Sequence, residues 1–282
     1  MIIKCLVENT ACKENYKTEH GLSLYIESES GNILFDTGQS GLFAENAKKM
    51  DVSIEKADRA IISHGHYDHG GGLKTFFSIN SKASVYIHKN AFGDYYSNRE
   101  DDEKAYIGLD KNMENNPQFV FIEDTSHIKE GLIIFVGADE KYLFPRGNDD
   151  LYTMKDNEFE NDAFSHEISL IILEKEKAIL IAGCAHNGIV NIINKAKSII
   201  GRELDLVIGG FHLHSRANNK SESKEHLKLL SEALSKNNTM YYTCHCTGEE
   251  AYEELKNSMG NKIAYIRTGE MLDTSTNTKA ML

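Results

Sequence analysis

In the first third of the chain, short apolar runs alternate with polar punctuation. Residues 2–7, 22–27 and 32–35 carry the pattern of strands, with Ser30-Gly31-Asn32 as the turn between the last two. Residues 42–49 read as a helix. Residues 59–62 form a short apolar run of the kind buried in a sheet, and it leads straight into a cluster of histidines. A further helix is expected to open over residues 70–77, and 84–88 is again strand-like. Between about residues 90 and 160 the periodicity fades into Asn, Asp, Glu and Tyr, with apolar islands at 119–122 and 132–136. A stretch of this kind reads as an irregular insertion, either a lid over a site or a variable surface excursion. Periodicity returns as a hairpin, 168–173 and 178–181. It continues as helix 189–199, strand 204–208, helix 223–234, strand 240–243, helix 249–256 and strand 263–267. Hairpins mixed with helix–strand alternation in both halves point to two sheets flanked by helices. That is an α/β fold of the αββα sandwich kind, expected to form a single domain over 1–282.

The composition fits a soluble globular protein: of 282 residues, 40% are hydrophobic and 26% charged. No run approaches the ~18–20 apolar residues of a membrane span. The apolar start, residues 1–7, is short and is interrupted by Lys4 and followed by Glu8, so no export signal is expected. The net charge of -12 sets up a field that opposes nucleic acid but leaves room for a small phosphorylated molecule near a local positive charge. Five cysteines, Cys5, Cys12, Cys184, Cys244 and Cys246, are an odd number in a chain with no export signal, which points to thiols in a reducing cytoplasm.

The chemistry concentrates in Ser63-His64-Gly65-His66-Tyr67-Asp68-His69. Crowded imidazoles cannot all be protonated, and neutral imidazole together with carboxylate is a metal-binding combination. In an extended loop, His64 and His66 point to one side and can grip one ion, while Asp68 and His69, past a turn, can reach another. More donors must come from elsewhere. Cys184 and His186, His212, and His245 each follow the end of an expected strand, as His64 and Asp36 do. Donors gathered beyond strand ends are how sheet-based sites are built. Cys184 and His186 are two apart, so their side chains should leave on one face.

The run from Ser63 to Gly71 resembles the signature of the metallo-β-lactamase superfamily. Four further segments narrow the resemblance: Phe35-Asp36-Thr37-Gly38, Gly183-Cys184-Ala185-His186-Asn187-Gly188, Gly209-Gly210-Phe211-His212-Leu213 and Cys244-His245-Cys246-Thr247-Gly248. They are similar to the branch named after an archaeal dihydropterin-methyl-ribofuranosylaminobenzene phosphate synthase, over about residues 2 to 270. The resemblance implies two divalent transition metals, zinc first, with iron or manganese also accepted by mixed nitrogen and oxygen donors. It implies His64 and His66 on the first metal, and Asp68, His69 and His245 on the second, with Asp36 hydrogen-bonding the ligand loop. His186 is the preferred third histidine, ahead of His166 and His212. Cys184 stands where the superfamily usually has a bridging aspartate, so both a thiolate ligand and a packed thiol stay open there. Asp68 and His212 are the catalytic candidates, His212 as a phosphate contact or proton shuttle. Cys244 and Cys246 are expected to pack. His20, His88, His127, His214 and His226 are expected to be solvated or locally hydrogen-bonded, and Gly209-Gly210 to form a tight turn or a phosphate approach.

The implied activity is hydrolysis or group transfer on a small phosphorylated metabolite, pterin-related in the branch that the motifs resemble. Two metals would lower the pKa of a shared water to attack it. Tyr95, Tyr96, Tyr106 and Phe119 are candidates for stacking on a planar ring. A nuclease or phosphodiesterase of the same fold is the alternative, opposed by the acidic chain and the lack of a basic stripe. A diiron redox protein ranks lower, because His66 stands where such proteins usually carry a carboxylate. No nucleic-acid or membrane partner is expected.

Overall fold

A computed structural model describes residues 1–99, 103–138, 140–216, 219–276 and 278–281. The described residues fall into two compact units. One comprises those of Met1–Phe92, Leu109–Glu123 and Ile266–Leu282, the other those of Gly93–Gly108 and Asp124–Tyr265.

The first unit is built on an eight-stranded sheet. Thr278–Met281, Glu270–Asp273, Ile2–Val7, Ser23–Ser28 and Gly31–Phe35 follow one another antiparallel. Arg59–Ile62, Ser84–His88 and Phe119–Ile122 then continue the sheet in parallel. The strands expected at 2–7, 59–62 and 84–88 match the structure, as does the helix Leu42–Lys49. That helix buries Leu42, Phe43, Ala44 and Ala47 against Leu6, Leu34 and Ile62 of the sheet core. The helix expected from residue 70 is divided: a single turn at Tyr67–Gly70 carries Asp68 and His69, and Leu73–Ile79 follows. The terminal strands Glu270–Asp273 and Thr278–Met281 carry no apolar run and had no signature in the sequence.

The second unit holds a seven-stranded sheet, again half antiparallel and half parallel. Ser126–Lys129, Leu132–Val136, Ile168–Glu174 and Lys177–Ile181 form the antiparallel half. Leu206–Gly209, Met240–Thr243 and Ile263–Tyr265 extend it in parallel. The central strands are apolar nearly throughout because both faces are covered. Helix Ile189–Ile200 buries Ile189, Ile192, Ile193 and Ala196, one stripe at helical spacing, and ends on Gly201 in the left-handed conformation (φ 67°). Helix Lys224–Ser235 starts at Ser223, whose side chain accepts from the His226 backbone N–H, and it buries Leu227, Leu230 and Leu234.

The stretch read as an irregular insertion is ordered in three different ways. Phe119–Ile122 belongs to the first unit's sheet and Leu132–Val136 to the second's. Glu158–Asn161, Leu151–Lys155, Tyr95–Asn98 and Lys104–Tyr106 form a separate four-stranded sheet in the second unit. Its outer strand, Glu158–Asn161, is exposed at every position, so it lacks the apolar alternation by which strands are recognised.

Leu180 lies at the centre of the second unit's sheet with no exposure. Leu180→Ala should cost about 2–5 kcal/mol through lost burial and a residual cavity. Leu229→Ala, at a position 42% exposed, should stay within about 0.5 kcal/mol. Denaturant unfolding of the two variants checks the contrast.

Candidate metal centre

In the first unit, the parallel neighbours Gly31–Phe35 and Arg59–Ile62 pair Phe35 with Ile61, so Asp36 and Ser63 leave the sheet side by side. Asp36 (φ 59°) is turned so that its carboxylate faces the next loop. It accepts from the Ser63 backbone N–H at 2.7 Å, from Ser63 Oγ at 2.8 Å and from His69 Nδ1 at 2.6 Å. Ser63 has one hydroxyl proton, and Asp36 takes it. Ser63 Oγ, 2.9 Å from His64 Nδ1, must therefore accept from that nitrogen. His64 and His69 are thus both held as the Nδ1–H tautomer, with the lone pair on Nε2. The rings lie close: 4.5 Å between the centroids of His64 and His66, and 4.1 Å between those of His64 and His69. Asp68 Oδ2 is 3.7 Å from His69 Nε2 and 3.2 Å from His20 Nε2. All four expected ligands, His64, His66, Asp68 and His69, are buried. The loop is pinned from outside, since the His69 carbonyl accepts from Thr37 N at 2.7 Å and the Asp68 carbonyl from Leu22 N at 3.2 Å. Gly71 is needed for this closeness: a Cβ there would stand 2.2 Å from the Gln39 carbonyl oxygen.

In the second unit, Lys177–Ile181, Leu206–Gly209 and Met240–Thr243 are adjacent and parallel, so the loops that follow them emerge together. Those loops carry Cys184 and His186, then His212, then His245 and Cys246. Donor atoms of Cys184, His186 and His212 lie within 4.8 Å of one another, as do those of Cys184, His245 and Cys246. Cys184 and His186 thus share one cluster, as their spacing implied. Asn148 sets the His186 tautomer. Its Nδ2 donates to the His186 carbonyl at 2.8 Å, which fixes the amide, and its Oδ1 accepts from His186 Nδ1 at 2.9 Å. Nε2 is again left as the lone-pair nitrogen. Phe164 stacks on the same ring at 4.4 Å. The Glu167 carboxylate accepts from the backbone N–H of His186 and of Asn187 and from the Asn187 amide. Burial nevertheless raises its pKa, against the lowering effect of those hydrogen bonds.

His212 is 9% exposed, and neither of its ring nitrogens has a hydrogen-bond partner among the described residues. A buried imidazole in that state is costly unless a further group engages it. This orphaned side chain, together with imidazole, thiol and carboxylate donors held in one tautomer, fits transition-metal binding. Burial pushes the Cys246 thiol up, but Cys184 and the imidazoles of His212 and His245 outweigh this and hold it well below the ordinary thiol range.

Several expectations change. His166 is engaged elsewhere: its Nε2 pairs with Asp162 at 2.9 Å and its ring lies against Tyr95 at 4.0 Å. Tyr96 packs on Tyr106 and Phe159, and Phe119 on Phe77 and Phe92. Phe144 and Tyr152, with Asn148, Asp149 and Asp162, instead line a cavity of about 430 Å³ within the second unit. Sequence reasoning missed Asn148 and His20. Both sit far along the chain from the motifs they serve.

A family model described as the metallo-beta-lactamase superfamily matches residues 17–186. The chain is 31% identical over 278 residues to uncharacterized protein MJ0448 of Methanocaldococcus jannaschii, covering 96% of this chain and 99% of that one. It is 28% identical over 273 residues, 90% of each chain, to the 7,8-dihydropterin-6-methyl-4-(beta-D-ribofuranosyl)-aminobenzene-5'-phosphate synthase of the same organism. Among solved structures it is similar to Tm1679, described as a metal-dependent hydrolase of the beta-lactamase superfamily, with 30% identity, a TM-score of 0.82, and coverage of 97% of this chain and 99% of that one.

Asp36→Asn removes one acceptor from His69 or Ser63 and should weaken metal binding by about 10–100-fold. Asn148→Ala should do the same through His186, whereas Asn148→Asp, which keeps an acceptor toward Nδ1, should retain most of the affinity. Chelator competition read by metal content checks all three.

Proposed function

The chain belongs to the metallo-β-lactamase superfamily, and from that premise we propose that it is a metal-dependent hydrolase or transferase acting on a small phosphorylated metabolite, with a pterin-related phosphoester as the first candidate. The observation that carries the metal-dependent reading is the tautomer control of His64, His69 and His186 by Ser63, Asp36 and Asn148. A purely structural histidine needs no particular nitrogen left with its lone pair, whereas a ligand does.

On this reading the ligands are His64, His66, Asp68, His69, Cys184, His186 and His245, and the ions are two divalent transition metals, zinc before iron or manganese. When bound, they supply Lewis acidity that activates water and neutralises charge on the group attacked. The chain's residues do the rest. Asp36 and Asn148 keep the imidazoles aimed. Asp68 orients the nucleophile or holds its proton. His212 exchanges a proton with the substrate or donates to its phosphate through a ring nitrogen that has no hydrogen-bond partner among the described residues. The cavity beside Asn148, lined by Phe144 and Tyr152, offers aromatic surface for a planar ring.

The small-substrate reading is supported by the net charge of -12, which opposes a polyanion needing many Lys and Arg contacts. It is also supported by similarity to a protein whose name describes a pterin-linked phosphate synthase. A reducing cytoplasm is part of this proposal, supported by an odd number of cysteines, all five of them free thiols. No helix among the described residues is long and apolar enough to cross a membrane.

The His64→Ala/His66→Ala double variant should lose metal and at least about 100-fold in activity while keeping its fold by circular dichroism. Full metal occupancy in that variant would rule out the ligand assignment. In a parallel assay, a pterin pyrophosphate or a chromogenic phosphoester should turn over, and single-stranded DNA and RNA should not. Efficient nucleic-acid cleavage with neither ester consumed would make the protein a nuclease.

A further inference from the structure

Cys246 was expected to pack, and its surroundings do not suit an inert core thiol. Its sulfur sits in the cluster formed with Cys184 and His245, whose donor atoms lie within 4.8 Å of one another. It accepts from the His212 backbone N–H at 3.3 Å and donates to the Cys184 carbonyl at 3.6 Å. Space is reserved for the sulfur as well. Gly210 comes so close that a Cβ on it would stand 2.3 Å from Cys246 Sγ. Cys246 is 7% exposed and Cys184 3%, so water reaches neither sulfur to any extent.

We propose that Cys246 is a metal ligand acting together with Cys184 and His245, which gives the second unit a two-thiolate, one-imidazole donor set selective for a soft or borderline cation. The proposal rests on the metal-dependent reading above and adds to it a residue and a selectivity. Thiolate sulfur prefers zinc, ferrous iron or cobalt over manganese and magnesium, which favour oxygen. Both sulfurs bind as thiolates, so whatever protons they carry beforehand leave on uptake of the cation. The parallel strands Lys177–Ile181, Leu206–Gly209 and Met240–Thr243 build this set: Cys184 follows the first, Cys246 follows the third, and Gly210 follows the strand between them. A side chain at Gly210 would separate the two sulfurs' loops.

The primary test needs no variant. X-ray absorption on the zinc-loaded full chain should show sulfur at about 2.3 Å whose number per zinc, multiplied by the zinc bound per chain, gives at least two sulfur contacts per chain. One sulfur or none would overturn the proposal while leaving the metal-dependent reading intact. A chain that takes up no divalent metal would overturn both. The second test uses the cobalt(II)-loaded protein, whose sulfur-to-cobalt charge-transfer band counts thiolates. Cys246→Ser should lose about half of the wild-type intensity, and Cys184→Ser/Cys246→Ser nearly all of it. Cys246→Ser should also weaken zinc binding by at least about tenfold while shifting manganese binding by no more than about twofold. Circular dichroism reports the folded fraction to which these intensities are normalised. An unchanged cobalt band in folded Cys246→Ser would assign Cys246 to packing.

Discussion

A buried imidazole can hold a cation only through a nitrogen that carries no proton, so the histidines of each unit depend on where the other nitrogen's proton goes. The protein answers with groups that have a single available role. Asp36 takes the Ser63 hydroxyl proton and accepts from His69, which obliges Ser63 to accept from His64. Asn148 is fixed by the carbonyl it donates to, which obliges His186 to donate to its oxygen. Each arrangement runs through hydrogen bonds buried from water, where a misplaced proton would leave a polar group without a partner. The Asp36 carboxylate is engaged by Ser63 and His69 through three hydrogen bonds.

Sheet polarity makes these meetings possible. In each unit an antiparallel half gives way to a parallel half. Hairpin loops close back on their own neighbours, but parallel strands all end on the same edge, and their following loops are brought together there. Asp36 and Ser63 meet because Gly31–Phe35 and Arg59–Ile62 run in parallel. Cys184, His212 and His245 meet for the same reason in the second unit. Gly71 and Gly210 allow the chain to close around the donors, each at a distance that a Cβ would forbid.

Much of the fold was legible because the central strands are short apolar runs with clear ends. Arg59–Ile62, Ser84–His88 and Met240–Thr243 match their expected bounds for this reason. The elements that escaped notice are polar or edge strands, such as Glu158–Asn161 and Thr278–Met281, where pairing with a neighbour rather than a burial pattern defines the strand. The expected single helix after the histidine motif divides because Gly70, Gly71 and Gly72 let the chain turn closely against the Gln39 and Thr37 carbonyls.

The sequence by itself determined which residue types are available for metal chemistry and that they follow strand ends. Spacing of one or two residues is enough to put His64 with His66 and Cys184 with His186. It could not decide partners that lie far apart in the chain. Asn148 serves His186 from 38 positions away and Asp36 serves His69 from 33, and no local period encodes either pairing. Nor could it separate His166, engaged by Asp162, from His212, buried with both ring nitrogens without a hydrogen-bond partner among the described residues. Only tertiary structure settles such questions, because a histidine's role depends on which hydrogen-bonding groups the rest of the fold brings to its two nitrogens.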